Sequence, residues 1–307
     1  MSASSQPSCG SANADRSDSA AYSTGHSARP SASAGDSAVA EALVAAATEL
    51  RDAVDSLSFG EPVTHVYNPL SYAFAMHAAY LRTFARGPRE VVFFGMNPGP
   101  WGMAQTGVPF GEVAAVRDWL RLNEPIGAPA EQHPKRPVEG LACGRSEVSG
   151  RRLWGAFRDR FHTAERFFAS HFVANYCPLL FMESGGRNRT PDKLTRPERD
   201  ALTAACDRHA AAVLRILQPR IVLGVGRYAC RQLERVVERH AADQATGRAA
   251  AAQPAGRDAA GNEAAEPPFP VSCPQVAEIL HPSPANPRAN QGWKAELEAR
   301  MRELGVW

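Results

Sequence analysis

The sequence predicts an α/β protein, and three observations carry that prediction. Four short apolar runs, at residues 90–95, 171–176, 220–225 and 276–281, have the length and β-branched or aromatic content of buried strands. The stretches between them repeat apolar residues at helical spacing. No hairpin turn joins one run to the next, so the sheet is expected to be mostly parallel and sandwiched between helix layers.

Taken in order, residues 1–36 are rich in Ser, Ala and Gly and nearly free of large apolar side chains. Such a segment buries too little surface to offset the entropy of ordering and is expected to be a disordered tail. Residues 38–57 place Leu43, Ala47, Leu50 and Val54 on one helical face. After the first strand run, residues 153–168 form a helical pattern around Trp154, Phe157 and Phe161, leading into the second run. Residues 198–217 and 227–240 are amphipathic and bracket the third run. Residues 241–268 are Ala-rich and structureless in pattern, and so long a loop inside a compact domain is best explained as an insertion. The expectation is a single domain over residues 37–307 with a low-complexity insertion at 241–268.

Bulk properties exclude several classes. The 307 residues are 44% apolar, ample for a sizeable core. Lys and Arg number 34 against 32 Asp and Glu, so 34 − 32 gives +2, and any nucleic-acid footprint must be local. The six cysteines form no C-x-x-C pair, which disfavours zinc ribbons and clustered iron–sulfur ligation, and they are read as reduced thiols. No apolar stretch approaches membrane-spanning length, and the N-terminus lacks a basic region followed by an apolar one. A soluble, cytoplasmic monomer is expected, nucleoid-associated in a prokaryote or nuclear in a eukaryote, without membrane contact.

In an open parallel sheet, ligands bind beyond the carboxyl ends of the strands. Those ends here are Met96-Asn97-Pro98-Gly99-Pro100, Asn175-Tyr176-Cys177-Pro178, Gly224-Val225-Gly226 and His281-Pro282-Ser283-Pro284. Asn97 and His281 each precede a proline, which keeps their backbone extended at the strand mouth. Singly, each of these is an ordinary turn signature; together they place two amides and an imidazole on one sheet edge.

Three segments in this order, GMNPGPWGMAQTGVPFGE (95–112), FVANYCPLLFM with GGRNRTP (172–182 and 185–191), and HPSPANPRANQGW (281–293), resemble the signature segments of the uracil-DNA glycosylase superfamily, in its single-strand-selective monofunctional branch. The resemblance covers roughly residues 60–305 outside the insertion. It implies a three-layer α/β/α sandwich around a four-stranded parallel sheet, and hydrolysis of the N-glycosidic bond of a uracil flipped out of single- or double-stranded DNA, with no metal or organic cofactor. It further implies 5-hydroxymethyluracil and related 5-substituted uracils as substrates.

By the same resemblance, Asn97 positions the attacking water and His281 stabilises negative charge on uracil O2. Phe110 stacks on the base, Asn175 reads its N3–O4 edge, and Met96, Gly99 and Met103 line the pocket, Gly99 leaving room beside C5. DNA contacts are implied for Gly186, Arg187 and Arg189 in one loop. In another they fall to Pro282, Ser283, Pro284, Ala285, Asn286, Pro287, Arg288 and Lys294. Ala285 departs from the arginine of the vertebrate enzymes, which weakens the expected wedge. Two alternatives differ in activity: a mismatch-specific glycosylase acting on G·U and G·T pairs, and a catalytically inactive nucleic-acid-binding relative. A Rossmann-type enzyme built on Gly224-Val225-Gly226 lacks the third spaced glycine and the ribose-binding acid.

Overall fold

The computed structural model describes residues 34–251 and 273–307, which belong to one compact unit. In chain order the elements are α1 (Ala34–Asp55), β1 (Val63–Tyr67), α2 (Pro69–Tyr72), α3 (Phe74–Phe84), β2 (Val91–Gly95) and α4 (Met103–Thr106). There follow α5 (Val148–Phe161), α6 (Ala164–Phe168), β3 (His171–Asn175), β4 (Leu180–Glu183), β5 (Asn188–Arg189) and α7 (Arg196–Leu217). The chain closes with β6 (Ile221–Val225), α8 (Arg227–Ala251), β7 (Gln275–Ile279) and α9 (Pro287–Glu303).

The four expected strands form one wholly parallel sheet in the order β3-β2-β6-β7. β2, β3 and β6 are buried along their full length, which is why they read as continuous apolar runs rather than alternating ones. β7 lies at the edge and alternates. The register pairs Gly95 with Asn175, and Val225 with Ile279, so the carboxyl ends of the strands are level. The chain runs from β2 outward to β3, then returns to the other side of β2 to lay down β6 and β7. That reversal is the switch point where a crevice opens in such sheets.

An aromatic cluster of Phe93, Trp154, Phe157, Phe167, Phe168 and Phe172 packs α5 and α6 against one region of the sheet. α7 is stopped from unravelling by a reciprocal cap. Thr195 Oγ1 donates to Glu198 Oε2 at 2.7 Å, and the Thr195 backbone N–H bonds the same oxygen at 3.0 Å.

Four points depart from the sequence reading. A second, antiparallel sheet of order β1-β4-β5 was not foreseen. The helix expected over 153–168 is two, because His162 adopts φ +65° and Thr163 starts a new cap. The tail boundary shifts: residues 34–36 already belong to α1, while residues 1–33 lie outside the described residues. α8 continues as helix through Ala251, well into the stretch taken as insertion, whose residues 252–268 also lie outside the described residues. Among the described residues no helix is long and apolar enough to cross a membrane.

Candidate active site

The level strand ends open onto a cavity of about 240 Å³ whose walls include Asn97, Phe110, Glu147, Asn175 and His281. The chain's other polar clusters lie elsewhere, and among the described residues no three His, Cys, Asp or Glu side chains are grouped to hold a metal ion.

Asn97 leaves β2 just past Gly95. Its Nδ2 donates to the Leu179 carbonyl at 3.2 Å and more weakly to Pro98 O at 3.4 Å. With the donors engaged by backbone, Oδ1 is left as the acceptor for whatever enters the cavity. An amide so fixed holds a water by accepting its O–H; it does not remove a proton.

His281 follows β7. The Ser283 backbone N–H donates to its Nδ1 at 3.1 Å, which requires Nδ1 to be unprotonated and puts the ring proton on Nε2. Desolvation lowers its pKa to about 4. The group is therefore a neutral imidazole near pH 7, with Nε2–H as its donor. Gly226, at φ +88°, lies directly behind the ring, where a Cβ would come within 3.1 Å of His281 Cβ.

Phe110 is buried and holds φ +52°, a conformation costing a non-glycine residue roughly 1–3 kcal/mol. The Trp154 indole N–H donates to its carbonyl at 3.0 Å, so the core of the protein holds the strained residue in place. Its ring centroid lies 6.4 Å from that of His281. Gly95 makes this possible, because a Cβ there would overlap both Asn175 Oδ1 and the Phe110 ring.

Asn175 ends β3 and is buried. Its Nδ2 approaches Met103 Sδ at 3.1 Å, a weak acceptor that sets which way the amide faces. Met103 itself is buried behind Asn175 and outside the cavity wall, so its implied place as a pocket liner is corrected to that of a support. Met96 does line the cavity.

Gly99 also requires correction. The space beside it is not open: a Cβ at Gly99 would overlap Glu147 Oε1, and one at Gly102 would overlap Glu147 Oε2. These glycines admit a carboxyl group. Glu147 stands at the N-cap of α5 without capping it, its Oε2 sealed from solvent and without a hydrogen-bond partner. Burial, aided by the nearby Glu112 carboxylate, pushes its pKa up to about 7.

The loop after His281 is braced rather than loose. Arg152 donates to Pro282 O and to Asn290 Oδ1, both at 2.9 Å, and Asn290 Nδ2 donates to Pro284 O at 2.8 Å. Asn286 caps α9 and Pro287 occupies its first turn, while Ala285 donates its N–H to Ser283 Oγ at 3.1 Å. Pro284 and Ala285 are left exposed at the tip. Arg288 and Lys294 are exposed but paired, with Glu296 at 2.9 Å and Asp159 at 2.7 Å. Exposed pairs of this kind contribute about 0–1 kcal/mol, so a phosphate readily displaces the carboxylate.

In the GGRNRT loop other residues than the implied ones line the cavity. Strand side chains alternate, and it is Asn188 and Thr190 that line the cavity, with Asn188 Oδ1 buried and unpartnered. Arg189 turns away, donating to Glu183 Oε1 at 3.0 Å and to Lys193 O at 3.1 Å. The Gly186 amide is spent on Glu183 O at 2.7 Å, closing the β4–β5 turn at φ +79°. Arg187 is exposed. A Cβ at Gly186 would lie 3.5 Å from Arg136 Cζ. Arg136 and Arg145 in turn flank the Trp101 ring at 5.3 and 4.5 Å. This adds a basic, aromatic patch beside the cavity that single-residue reading missed, although the run His133-Pro134-Lys135-Arg136 carries its charge signal.

A family model described as the uracil DNA glycosylase superfamily matches residues 84–304. The Bos taurus protein named single-strand selective monofunctional uracil DNA glycosylase is 42% identical over 268 residues, 87% of this chain and 88% of its own. Its Mus musculus namesake is 41% identical over 268 residues, 87% of this chain and 85% of its own. The crystal structure of wild-type SMUG2 from Pedobacter heparinus aligns with a TM-score of 0.53 at 12% identity, covering 85% of this chain and 97% of that one, a likeness of fold.

Proposed function

Because the chain belongs to the uracil-DNA glycosylase superfamily, we propose that the cavity between Asn97 and His281 receives a uracil flipped from DNA and hydrolyses its N-glycosidic bond. The chain is thus a hydrolase of N-glycosyl bonds acting in base excision repair. The observation that carries this reading is the placing of a fixed amide acceptor and a neutral imidazole donor in one cavity with Phe110 and Asn175.

Breaking the bond through an oxocarbenium-like state builds positive charge on the sugar and negative charge on the leaving uracil. His281 Nε2–H meets the growing charge on O2, and a neutral donor does so without first transferring its proton. Asn97 Oδ1 holds the water for attack at the sugar carbon. Phe110 stacks on the ring. Asn175, set by Met103, accepts from N3–H and donates to O4, while cytosine, with an acceptor at N3 and an amine at C4, leaves these groups unpaired. The substrate range extends to uracils with a polar group at C5, in single- and double-stranded DNA.

DNA approaches over the exposed Pro284-Ala285 tip and the basic patch of Lys135, Arg136, Arg145 and Arg187, whose cations meet phosphates. Incubation with uracil-containing single-stranded DNA followed by alkaline cleavage tests the reading. Strand breaks at uracil are expected, and Asn97→Ala should slow them roughly 100-fold or more while leaving DNA binding in place. Binding without breaks by the intact chain excludes the enzyme.

A further inference from the structure

Glu147, like Ser149, Asn188 and Thr190, lines the cavity without having been singled out by sequence pattern or resemblance, and of these four it alone carries a carboxyl. Its carboxyl fills the space that side chains at Gly99 and Gly102 would take, and Gly150 brings a third gap within 3.1 Å of Oε2. Two glycines therefore give way to one carboxyl, Gly150 giving way first to the Phe110 carbonyl, and that carboxyl has an oxygen with no partner. A buried polar oxygen without a partner costs about 1–3 kcal/mol, which this wall bears at Oε2; the other oxygen, beside Gly99 in the lining, is the one that a ligand can meet. Glu147 does not support the fold in any obvious way: it makes no side-chain cap to its own helix.

The ligand's orientation says which part of it meets this wall. On the reading above, O2 belongs to His281 and the N3–H and O4 edge to Asn175. N1 faces the sugar at the cavity mouth. The C5 edge of the ring is then left for the wall that Gly99 and Glu147 build.

We propose that Glu147 is a specificity-determining residue, its carboxyl hydrogen-bonding a polar substituent at C5 of the flipped uracil. The proposal rests on the glycosylase reading and deepens it. The carboxyl's elevated pKa keeps much of it protonated near neutrality, so it offers a donor and an acceptor to a hydroxymethyl group. A methyl group in the same place satisfies neither and leaves the carboxyl buried and unpaired, which is a physical ground for rejecting thymine.

The test compares release of uracil, 5-hydroxymethyluracil and thymine from single-stranded oligonucleotides by the intact chain, Glu147→Leu and Glu147→Gln. Leucine keeps the wall filled without hydrogen bonding. It should lower the ratio of 5-hydroxymethyluracil to uracil release roughly tenfold or more, with measurable uracil release reporting a folded pocket. Glutamine, a neutral donor and acceptor of the same length, should keep the 5-hydroxymethyluracil to uracil ratio within about threefold of the intact chain. Equal loss of both substrates in Glu147→Leu, or an intact chain that releases uracil but not 5-hydroxymethyluracil, overturns this proposal alone. An intact chain that releases no uracil overturns the glycosylase reading beneath it.

Discussion

The protonation of His281 decides how the site works: burial keeps the ring neutral, and one backbone amide fixes its tautomer. With the Ser283 N–H on Nδ1 and a pKa near 4, the ring is neutral near pH 7 and offers Nε2–H as its donor. A charged imidazolium would stabilise O2 more strongly but would require a buried cation in the empty cavity, which desolvation opposes. Removing one such donor typically slows the chemical step about 10²–10³-fold. His281→Leu is accordingly expected to lose that much in kcat, with affinity for uracil-containing single-stranded DNA changed by less than about threefold. Single-turnover kinetics alongside an equilibrium binding titration checks both halves, and a loss confined to binding contradicts the assignment. Phe110 shows the complementary case, in which a residue is held in a costly left-handed conformation that sets its ring in the cavity, 6.4 Å from that of His281.

At the scale of elements, α5 organises the site more than any strand does. Glu147 at its N-cap forms the cavity wall, Gly150 lets the Phe110 backbone approach, Arg152 braces the loop after His281, and Trp154 fastens Phe110. Glu147, Gly150 and Trp154 share a face at i, i+3 and i+7. Arg152→Ala should free the 281–290 loop, lowering kcat/KM on single-stranded DNA roughly tenfold while lowering Tm by no more than about 4 °C, since the bonds lost are few and near the surface. A large fall in Tm without a selective loss of activity would make Arg152 a fold residue instead.

This helix also marks the limit of what the sequence disclosed. The parallel sheet was legible because β2, β3 and β6 are apolar throughout, and Asn97, Asn175 and His281 were legible because each sits at or just past the end of a strand run. The start of α5 was not, because Val148-Ser149-Gly150-Arg151-Arg152 has too little apolar periodicity to extend the pattern that begins at Leu153. Glu147 was hidden with it. The small sheet was missed for a different reason: β1, β4 and β5 are two to five residues long, and β1 pairs with β4 across a wide sequence separation, so no sustained local pattern announces them. Asn188 and Thr190 were lost to the same cause, since only the strand's alternation shows which side chains face the cavity.

The whole molecule carries a pH dependence that follows from its buried histidines. His77, His171, His209 and His281 all have pKa values lowered to about 4, with desolvation the first cause in each. Their unfolded value is near 6.5, so between about pH 6.5 and pH 4 the unfolded chain binds protons that the native chain does not. Stability is therefore present above this window and is lost as pH falls through it. The limiting slope is about 1.4 kcal/mol per pH unit for each histidine, and less for His209 and His281, which remain partly open to water. Glu147 acts in the opposite sense. Its pKa is raised to about 7 from 4.5, so its contribution is complete below the unfolded value and is lost as pH rises towards 7. Between about pH 4.5 and pH 6.5 it offsets one histidine and leaves the balance with the others. Urea unfolding is thus expected to show a midpoint clearly lower at about pH 5 than at about pH 6, with a shallower change from pH 6.5 to 7.5. Replacing Glu147 by leucine should steepen the acid limb, because the opposing proton is removed. A midpoint that holds steady or rises from pH 6 to pH 5 would mean that the imidazoles gain protons without unfolding, and that His281 is not held neutral by its surroundings.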